Sequence, residues 1–381
     1  MINDVSQILD VSKIREGFPI LQEKIQLSSC SQSALHVDVK ASINRYVQSW
    51  EEQGMNWEGW MKACENARLE FAKMINADVS EVAIVSSVSH AVSTVATSFI
   101  NQKKNKVFVT DFDFPTVGHI WLSHRDHYNV QFINKNESNF TNLEDYEQVV
   151  DEETLLVSTS HVSFYDGYKQ DLKKVANIVH ERGSYLFVDA YQSLGQCEID
   201  VKATDIDMLA AGLQKYALGI PGIAFLYVKK EIAETLTPKI TGWFGQSNPF
   251  AFDIKNVDYA EHAKRFDSGT FPMINGFAAE AALKILNQWD SKGIEQYLQE
   301  LSRLTISVAE ERGLTVKSPK DVTKKGSNTA IYVVNAPEVE GKLRGEGIIV
   351  SARNDVIRIA PHFYNTEEDI RKAIAALAKY M

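Results

Sequence analysis

Two charged residues, Asp189 and Lys215, lie about one strand-and-connection unit apart in a region where apolar runs alternate with helix-like segments. A lysine amine can condense with an aldehyde as a Schiff base, and a carboxylate can keep a pyridine nitrogen protonated, so that the ring accepts electrons. Taken singly, an aspartate at a strand end usually caps a loop, and a loop lysine is usually solvated. Together and in this order, the two residues predict a site for pyridoxal phosphate (PLP), with Lys215 as the catalytic residue.

A hydroxyl-rich stretch, Ser86-Ser87-Val88-Ser89-His90, ends one apolar run and opens a helix-like segment. The free N–H groups and the positive dipole end of a helix N-terminus suit a phosphate group. The alternative is an ordinary serine N-cap. The chain has no GxGxxG and no Walker sequence, which weakens the alternative hypothesis of a nucleotide-binding, Rossmann-like enzyme.

Three further residues are candidates for contacts with a flat cofactor or an anionic substrate. Phe114 follows a strand-like run, so its ring can stack on a cofactor or be an ordinary core aromatic. Gln192 follows Asp189 closely and can donate to a phenolate oxygen on the cofactor. Arg358 lies inside an apolar strand-like run and needs an anionic partner, which is either a substrate carboxylate or an internal carboxylate.

Length, charge and cysteine content bound the class of protein. The 381 residues predict a large domain and a smaller one, and the formal net charge of -10 argues against nucleic acid or an anionic membrane as a partner. Cys30, Cys64 and Cys197 lack CxxC spacing, so we expect neither a disulfide framework nor a metal site. Residues 1–19 lack a signal-peptide core, and no apolar run reaches membrane-spanning length, so we expect a cytoplasmic protein.

The order of the apolar runs predicts an α/β fold with a mostly parallel, doubly wound sheet. Continuous apolar runs are typical of strands that are covered on both faces. After Gly269, helical patterns are followed by short strands and by a last helix with Thr366 as its N-cap, which indicates a smaller α+β domain. We therefore predict a large domain over residues 18–269, and a small domain formed by residues 1–17 and 270–381. The predicted strands of the large sheet are 82–86, 106–110, 130–133, 155–159, 185–189, 208–211 and 223–228.

At these residues, and over nearly its whole length, the chain resembles the class V aminotransferases. These are fold-type-I PLP enzymes, a group that includes cysteine desulfurases, kynureninases and isopenicillin N epimerase-like proteins. The resemblance implies the aspartate aminotransferase-like fold. The matching motifs are Phe114-Pro115-Thr116, Ser160-His161-Val162, Val188-Asp189-Ala190-Tyr191-Gln192, Lys215-Tyr216, Arg265-Phe266-Asp267-Ser268-Gly269-Thr270 and Arg358-Ile359-Ala360-Pro361.

The resemblance implies a role for each matching residue. Lys215 would form the Schiff base and move the substrate's α-proton, while Arg358 would hold the substrate carboxylate. Thr270 would reach the phosphate bound by a neighbouring subunit, which implies a homodimer. The remaining matching residues expected at the cofactor are Asp189 at the pyridine nitrogen, Gln192 at the ring oxygen, Phe114 on the ring, and Val88 and Ser89 at the phosphate. Gln214 is a further candidate for the phosphate, because Gly212-Leu213-Gln214 stands where desulfurases have Ser-x-His before the lysine.

The chain also departs from the desulfurase pattern. The stretch Ser351-Ala352-Arg353-Asn354-Asp355 lacks the nucleophilic cysteine that desulfurases carry there, so a persulfide mechanism is not expected. Ser163 stands where relatives often have an asparagine that assists carboxylate binding, and Ser29 lies in a stretch that matches the family's N-terminal substrate loop. Ser163, Ser29 and Arg353 are therefore further candidates for substrate contacts. Arg353, Tyr191, Trp57 and Trp243 are candidates to line the substrate pocket.

These features predict an enzyme that acts on a small α-amino acid through an external aldimine and a quinonoid. Reprotonation at the cofactor carbon would give transamination, and loss of a β-substituent would give a lyase of the C–S type; both stay open, with epimerisation as the alternative. A non-catalytic protein with the PLP fold is the alternative from another class. The intact set of Lys215, Asp189 and Arg358 disfavours it.

Overall fold

The computed structural model describes residues 10–100, 102–134 and 140–381. Residues 1–9, part of the predicted small domain, lie outside the described residues. The α-helices are α1 (Val11–Glu16), α2 (Val37–Gln53), α3 (Trp57–Met74), α4 (Val88–Ser98), α5 (Pro115–Ser123), α6 (Leu143–Val149), α7 (Leu172–Glu181), α8 (Val201–Thr204), α9 (Lys230–Ala233), α10 (Met273–Leu286), α11 (Ser291–Glu311), α12 (Ala336–Gly345) and α13 (Glu367–Ala378). The strands are β1 (Ile25–Gln26), β2 (Val82–Val85), β3 (Lys106–Thr110), β4 (Asn129–Ile133), β5 (Thr154–Ser160), β6 (Tyr185–Asp189), β7 (Met208–Gly212), β8 (Ala224–Val228), β9 (Thr329–Tyr332), β10 (Ile348–Ile349), β11 (Ser351–Arg353) and β12 (Val356–Ile359).

The main sheet has seven strands in the order β2-β8-β7-β6-β5-β3-β4. The strands β7, β6, β5, β3 and β4 pair in parallel, whereas β8 is antiparallel to both of its neighbours, β2 and β7. Two reversals restore the direction, so β2 runs the same way as β7. This mixed sheet confirms the predicted α/β fold with a mostly parallel sheet.

Helices cover both faces of this sheet, and the buried residues of β2 show this directly. Val82 and Ile84 pack into the core that includes α3 and α7, and the alternate residues Ala83 and Val85 pack into the core that includes α4. Every residue of β5, β7 and β8 is buried, which explains the continuous apolar sequences of β7 and β8.

The C-terminal part of the chain builds two smaller sheets. Strands β11, β12 and β9 form an antiparallel sheet, and β10 pairs in parallel with β1 from the N-terminal region. The short strands β10 and β11, separated by a single residue, therefore belong to different sheets. The predicted N-cap of the last helix is confirmed, because Thr366 and Asp369 form a reciprocal capping box at the start of α13. The domain boundaries stay a prediction.

A buried ion pair joins β2, α3 and the segment that leads to Thr270. The fully buried Arg68 guanidinium donates to Asp267 Oδ2 at 2.8 Å and to the main-chain oxygen of Val82 at 2.6 Å. Asp267 Oδ1 accepts from the N–H of Ile84 at 2.8 Å. Because β2 leads into α4, this pair helps to hold the start of α4 in place.

Asp267→Ala should lower the free energy of unfolding by about 3–5 kcal/mol, because it leaves a charged guanidinium buried without its main partner. The matched control is Glu65→Ala. Glu65 also pairs with Arg68, at 3.0 Å, but its carboxylate is partly exposed, so its loss should cost about 1 kcal/mol or less. Urea unfolding of the cofactor-free protein measures the free energy of unfolding of both variants. Equal midpoints for the two variants would contradict the assignment.

Candidate active site

The carboxyl ends of β2, β3, β5, β6 and β7 meet at one edge of the main sheet, because these strands run in the same direction. Ligands bind beyond this edge in open α/β sheets. A cavity of about 220 Å³ lies there. Its lining residues are Ser87, Val88, Ser89, Phe114, Thr116, Ser160, Val162, Phe164, Asp189, Tyr191, Gln192, Gln214 and Lys215.

Lys215 follows β7, and its amine lies near two aromatic rings. The Nζ atom is 4.2 Å from the ring centroid of Tyr191 and 5.7 Å from that of Phe114. Burial lowers the pKa of Lys215 to about 8; Asp189 opposes this shift, and the cations of Arg358 and Arg353 add to it. Near neutral pH, a useful fraction of the amine is therefore unprotonated and nucleophilic.

Asp189 ends β6 with its carboxylate buried in the cavity wall. Its Oδ1 atom accepts from the main-chain N–H of Tyr191 at 2.8 Å. Burial raises the pKa of Asp189, and the Tyr191 N–H and the Lys215 cation oppose that shift. The carboxylate keeps capacity for a second donor, such as a protonated pyridine nitrogen.

The start of α4 offers free backbone donors to the cavity. Ser87 is the N-cap, and its hydroxyl accepts from the N–H of His90 at 3.0 Å. The Ser89 hydroxyl lies at hydrogen-bond distance, 3.0 Å, from the Thr116 hydroxyl, and both residues line the cavity. The N-cap interpretation and the phosphate interpretation are compatible, since one cap bond leaves the other N–H groups of the first turn unpaired.

Phe114 and Gln192 also line the cavity, in different settings. Phe114 is partly exposed, and its ring meets that of Phe164 edge to face at 5.3 Å between centroids. The Gln192 amide nitrogen donates to the main-chain oxygen of Cys30 at 3.1 Å. Gln192 therefore connects the N-terminal segment to the cavity. Its contact with the cofactor stays a prediction.

Arg358 is buried just outside the cavity. Its guanidinium donates to the main-chain oxygen of Phe164 at 2.7 Å and to the hydroxyls of Ser31 and Ser351 at 2.9 and 2.5 Å. Within the described part of the chain, no carboxylate lies at ion-pair distance from Arg358. The alternative of an internal salt bridge is therefore not observed, and the substrate carboxylate stays the predicted partner.

The other predicted residues lie away from the cavity lining. The Ser29 hydroxyl lies 3.2 Å from that of Tyr364, and the Ser163 hydroxyl accepts from the N–H of Tyr165 at 3.3 Å. Thr270 is exposed on the surface of the single chain. Trp57 and Trp243 pack against each other at 6.1 Å between centroids, in an aromatic cluster outside the cavity.

Sequence reasoning gave no role to Phe164, although it lines the cavity and contacts Arg358. A usable signal was its position, because Phe164 lies four residues beyond the end of β5, at the same sheet edge as the other candidates. Ser160, Val162 and Thr116 line the cavity too, and all three fall in motifs that carried the family resemblance.

Comparisons with known proteins agree with this geometry. Residues 33–378 match the family model described as Aminotransferase class-V. The Bacillus subtilis protein named "Uncharacterized aminotransferase YcbU" is 44% identical over 96% of each chain. Kynureninase of Pseudomonas fluorescens is 24% identical over 89% of this chain and 82% of the relative. An apo cysteine desulfurase of Thermococcus onnurineus has the same fold, with a TM-score of 0.87, 20% identity and 97% of each chain covered.

The site and the fold define a PLP-type enzyme. The chain belongs to the class V aminotransferase family. With this family, the predictions of an enzyme and of PLP as its cofactor are confirmed. Among the described residues, none of the helices combines the length and apolar character that crossing a membrane requires.

In the cofactor-free protein, Lys215 should react with an amine reagent with a midpoint near pH 8, because its pKa is lowered to about 8. Exposed lysines, with ordinary pKa values of roughly 10.4, should keep gaining reactivity above that pH. Pulse labelling from pH 6 to 11, followed by peptide mass spectrometry, measures both. Asp189→Asn should shift the midpoint further down, since Asp189 favours the charged amine. A midpoint above pH 10 in the native chain would refute this prediction.

Proposed function

We propose that the protein is a PLP-dependent aminotransferase that acts on an α-amino acid and holds its cofactor at Lys215. The observation that carries this proposal is that Lys215 and the buried Asp189 carboxylate line the same cavity, at the sheet edge where the start of α4 offers backbone donors. The printed name of the Bacillus subtilis relative supports transamination in particular. The absence of a cysteine between Ser351 and Asp355 argues against a persulfide mechanism.

The residues of the cavity match the groups that PLP presents. Lys215 would bind the aldehyde carbon and afterwards carry the substrate's α-proton, and Asp189 would hold the pyridine N–H. Backbone N–H groups at Val88 and Ser89, with the side chain of Gln214, would bind the phosphate. When bound, the cofactor supplies an electron sink for the charge that develops at the substrate's α-carbon.

Arg358 would hold the substrate's α-carboxylate. Its guanidinium is buried among neutral oxygens of Phe164, Ser31 and Ser351, so its charge lacks a counter-ion in the described part of the chain. A buried guanidinium gains most from a carboxylate, and the two hydroxyls can turn to donate to that same carboxylate. Ser29 and Ser163 remain candidate substrate contacts, although each hydroxyl already has a partner.

Incubation of the purified holoenzyme with a panel of amino acids and a keto-acid acceptor tests the reaction type. Transamination should convert the cofactor to pyridoxamine phosphate and yield the matching keto acid. Ammonia and pyruvate released without an acceptor would instead indicate β-elimination, and loss of optical rotation without either product would indicate epimerisation. Either of these two results would overturn the proposed transamination.

Lys215→Ala should lower turnover by at least about 10³-fold, because it removes the covalent anchor and the proton carrier together. Borohydride reduction of the wild-type holoenzyme should leave a pyridoxyl label on the peptide that contains Lys215. The matched control is Lys230→Ala, an exposed lysine at the start of α9, which should keep both the label and the activity. A Lys215→Ala protein with full activity would refute the assignment.

We also propose a homodimer in which Thr270 contacts the phosphate bound by the neighbouring subunit. Thr270 is exposed and outside the cavity lining of its own chain, which agrees with a role at another chain's site. We further propose a reducing, cytoplasmic setting. Its support is that Cys30, Cys64 and Cys197 are all free and buried.

Light scattering after gel filtration should give about twice the mass of one chain. Thr270→Val keeps the shape of the side chain but removes its hydroxyl, so the affinity for PLP should fall by roughly tenfold, the worth of one hydrogen bond to a charged group. The control is Thr235→Val, at an exposed threonine whose hydroxyl donates within its own chain to the main-chain oxygen of Ile232. A monomer, or unchanged PLP affinity in Thr270→Val, would contradict this arrangement.

A further inference from the structure

A second arginine shares a face of the β11–β12 hairpin with Arg358. In the antiparallel register, Ser351 lies opposite Arg358, and Arg353 lies opposite Val356. Side chains two residues apart on a strand point to the same side, so Arg353 and Arg358 project from one face as diagonal neighbours. Such neighbours are separated by roughly 7–8 Å, a distance that long side chains readily span.

Arg353 has no ion pair or hydrogen bond from its side chain within the described residues, and its buried Nε atom lacks an acceptor. Two carboxylates close to it already have other partners: Glu340, which interacts with Arg353 electrostatically, and Asp355, two residues further along the chain. Glu340 pairs with Arg344 at 2.7 Å and accepts from the N–H of Ala352. Asp355 accepts from the Tyr165 hydroxyl at 2.6 Å. A partly buried guanidinium without a carboxylate partner gains from an anion supplied from outside the chain.

Both arginines meet the cavity at the same residue, Phe164. Arg358 donates to the main-chain oxygen of Phe164, and the Cζ atom of Arg353 lies 5.9 Å from the centroid of its ring. Phe164 lines the cavity and contacts Phe114, which in turn lies over Lys215. The two cations also lie near enough to Lys215 to lower its pKa. An anion bound at Arg353 would therefore lie at the side of the cavity that Phe164 lines.

We propose that the preferred substrates are α-amino acids with a second carboxylate on the side chain, and that Arg353 binds this second carboxylate while Arg358 binds the first. This inference rests on the proposed function, because it assigns the α-carboxylate to Arg358. Two like charges on one hairpin face repel each other, and a dianionic substrate relieves the repulsion at both ends. A substrate with a neutral side chain would leave the charge of Arg353 without a counter-ion, so the site would select against such a substrate.

Matched pairs of substrates that differ mainly in charge test the proposal: glutamate against glutamine, and aspartate against asparagine. The wild-type holoenzyme should favour the acidic member of at least one pair by about 10- to 100-fold in kcat/KM, the worth of a hydrogen bond to a charged group. Arg353→Gln should remove that preference and leave the neutral amides within about threefold. Arg353→Lys should restore part of it. The control is Arg371→Gln, at an exposed arginine of α13. It should change neither the preference for acidic substrates nor the activity on the neutral amides.

Equal losses on acidic and neutral substrates in Arg353→Gln would overturn the proposal, because Arg353 would then serve the α-carboxylate or the fold. A wild-type preference for the amides would overturn it as well.

A binding measurement separates this inference from the proposed function, because it needs no turnover. Calorimetry should show that glutarate binds the holoenzyme more tightly than pentanoate, which has the same carbon count and one carboxylate. Arg353→Gln should lower the affinity for glutarate by about 10-fold or more and leave the affinity for pentanoate unchanged. An affinity for glutarate that is the same in the wild type and in Arg353→Gln would refute the dicarboxylate site. If no amino acid reacted at all, the proposed function would fail while the glutarate result still tested Arg353.

Discussion

The common direction of six of the seven main-sheet strands is the constraint on which the rest of the site depends. Because β2, β3, β5, β6 and β7 all end at the same edge, residues that are far apart in sequence meet around one cavity. The single reversed strand of the main sheet, β8, lies between β2 and β7 and preserves this alignment.

Charge balance explains why the cavity suits an anionic cofactor and an anionic substrate. The Lys215 amine interacts electrostatically with one carboxylate, that of Asp189, and with two cations, Arg353 and Arg358. In a poorly hydrated site, such an excess of positive charge is expensive until anions arrive. A phosphate and the carboxylates of a substrate would supply them. Burial is the main cause of the lowered pKa of Lys215, and the two arginine cations add to it.

The parts of the fold that follow from local chemistry were predictable from the sequence. Runs of apolar residues identified the strands of the main sheet, and the polar residues that follow them, Asp189 and Lys215 among them, lie at the cavity. The capping box at Thr366 was also readable, because it depends on residues only three positions apart. Direction was not readable for β8, since an apolar strand has the same sequence pattern whether its neighbours are parallel or antiparallel.

Contacts that depend on register between distant segments could not be predicted. Nothing in the local sequence shows that Arg353 projects from the same face as Arg358, because this depends on the length of the turn between β11 and β12. Nothing shows that the Ser29 hydroxyl meets Tyr364 rather than a ligand. The role of Phe164 was hidden for the same reason, as its neighbours come from other strands.

The pairing of β1 with β10 joins residues near the two ends of the chain, and Ser28 bridges to Ala360 beside it. Contacts between such distant residues form late, because the entropy of closing a long loop must be overcome first. During synthesis on the ribosome, the main sheet can assemble from segments already made, whereas the Arg358 side of the pocket must wait for the final part of the chain. Nascent chains of this enzyme should therefore have a cofactor-binding half that matures before they can recognise a substrate.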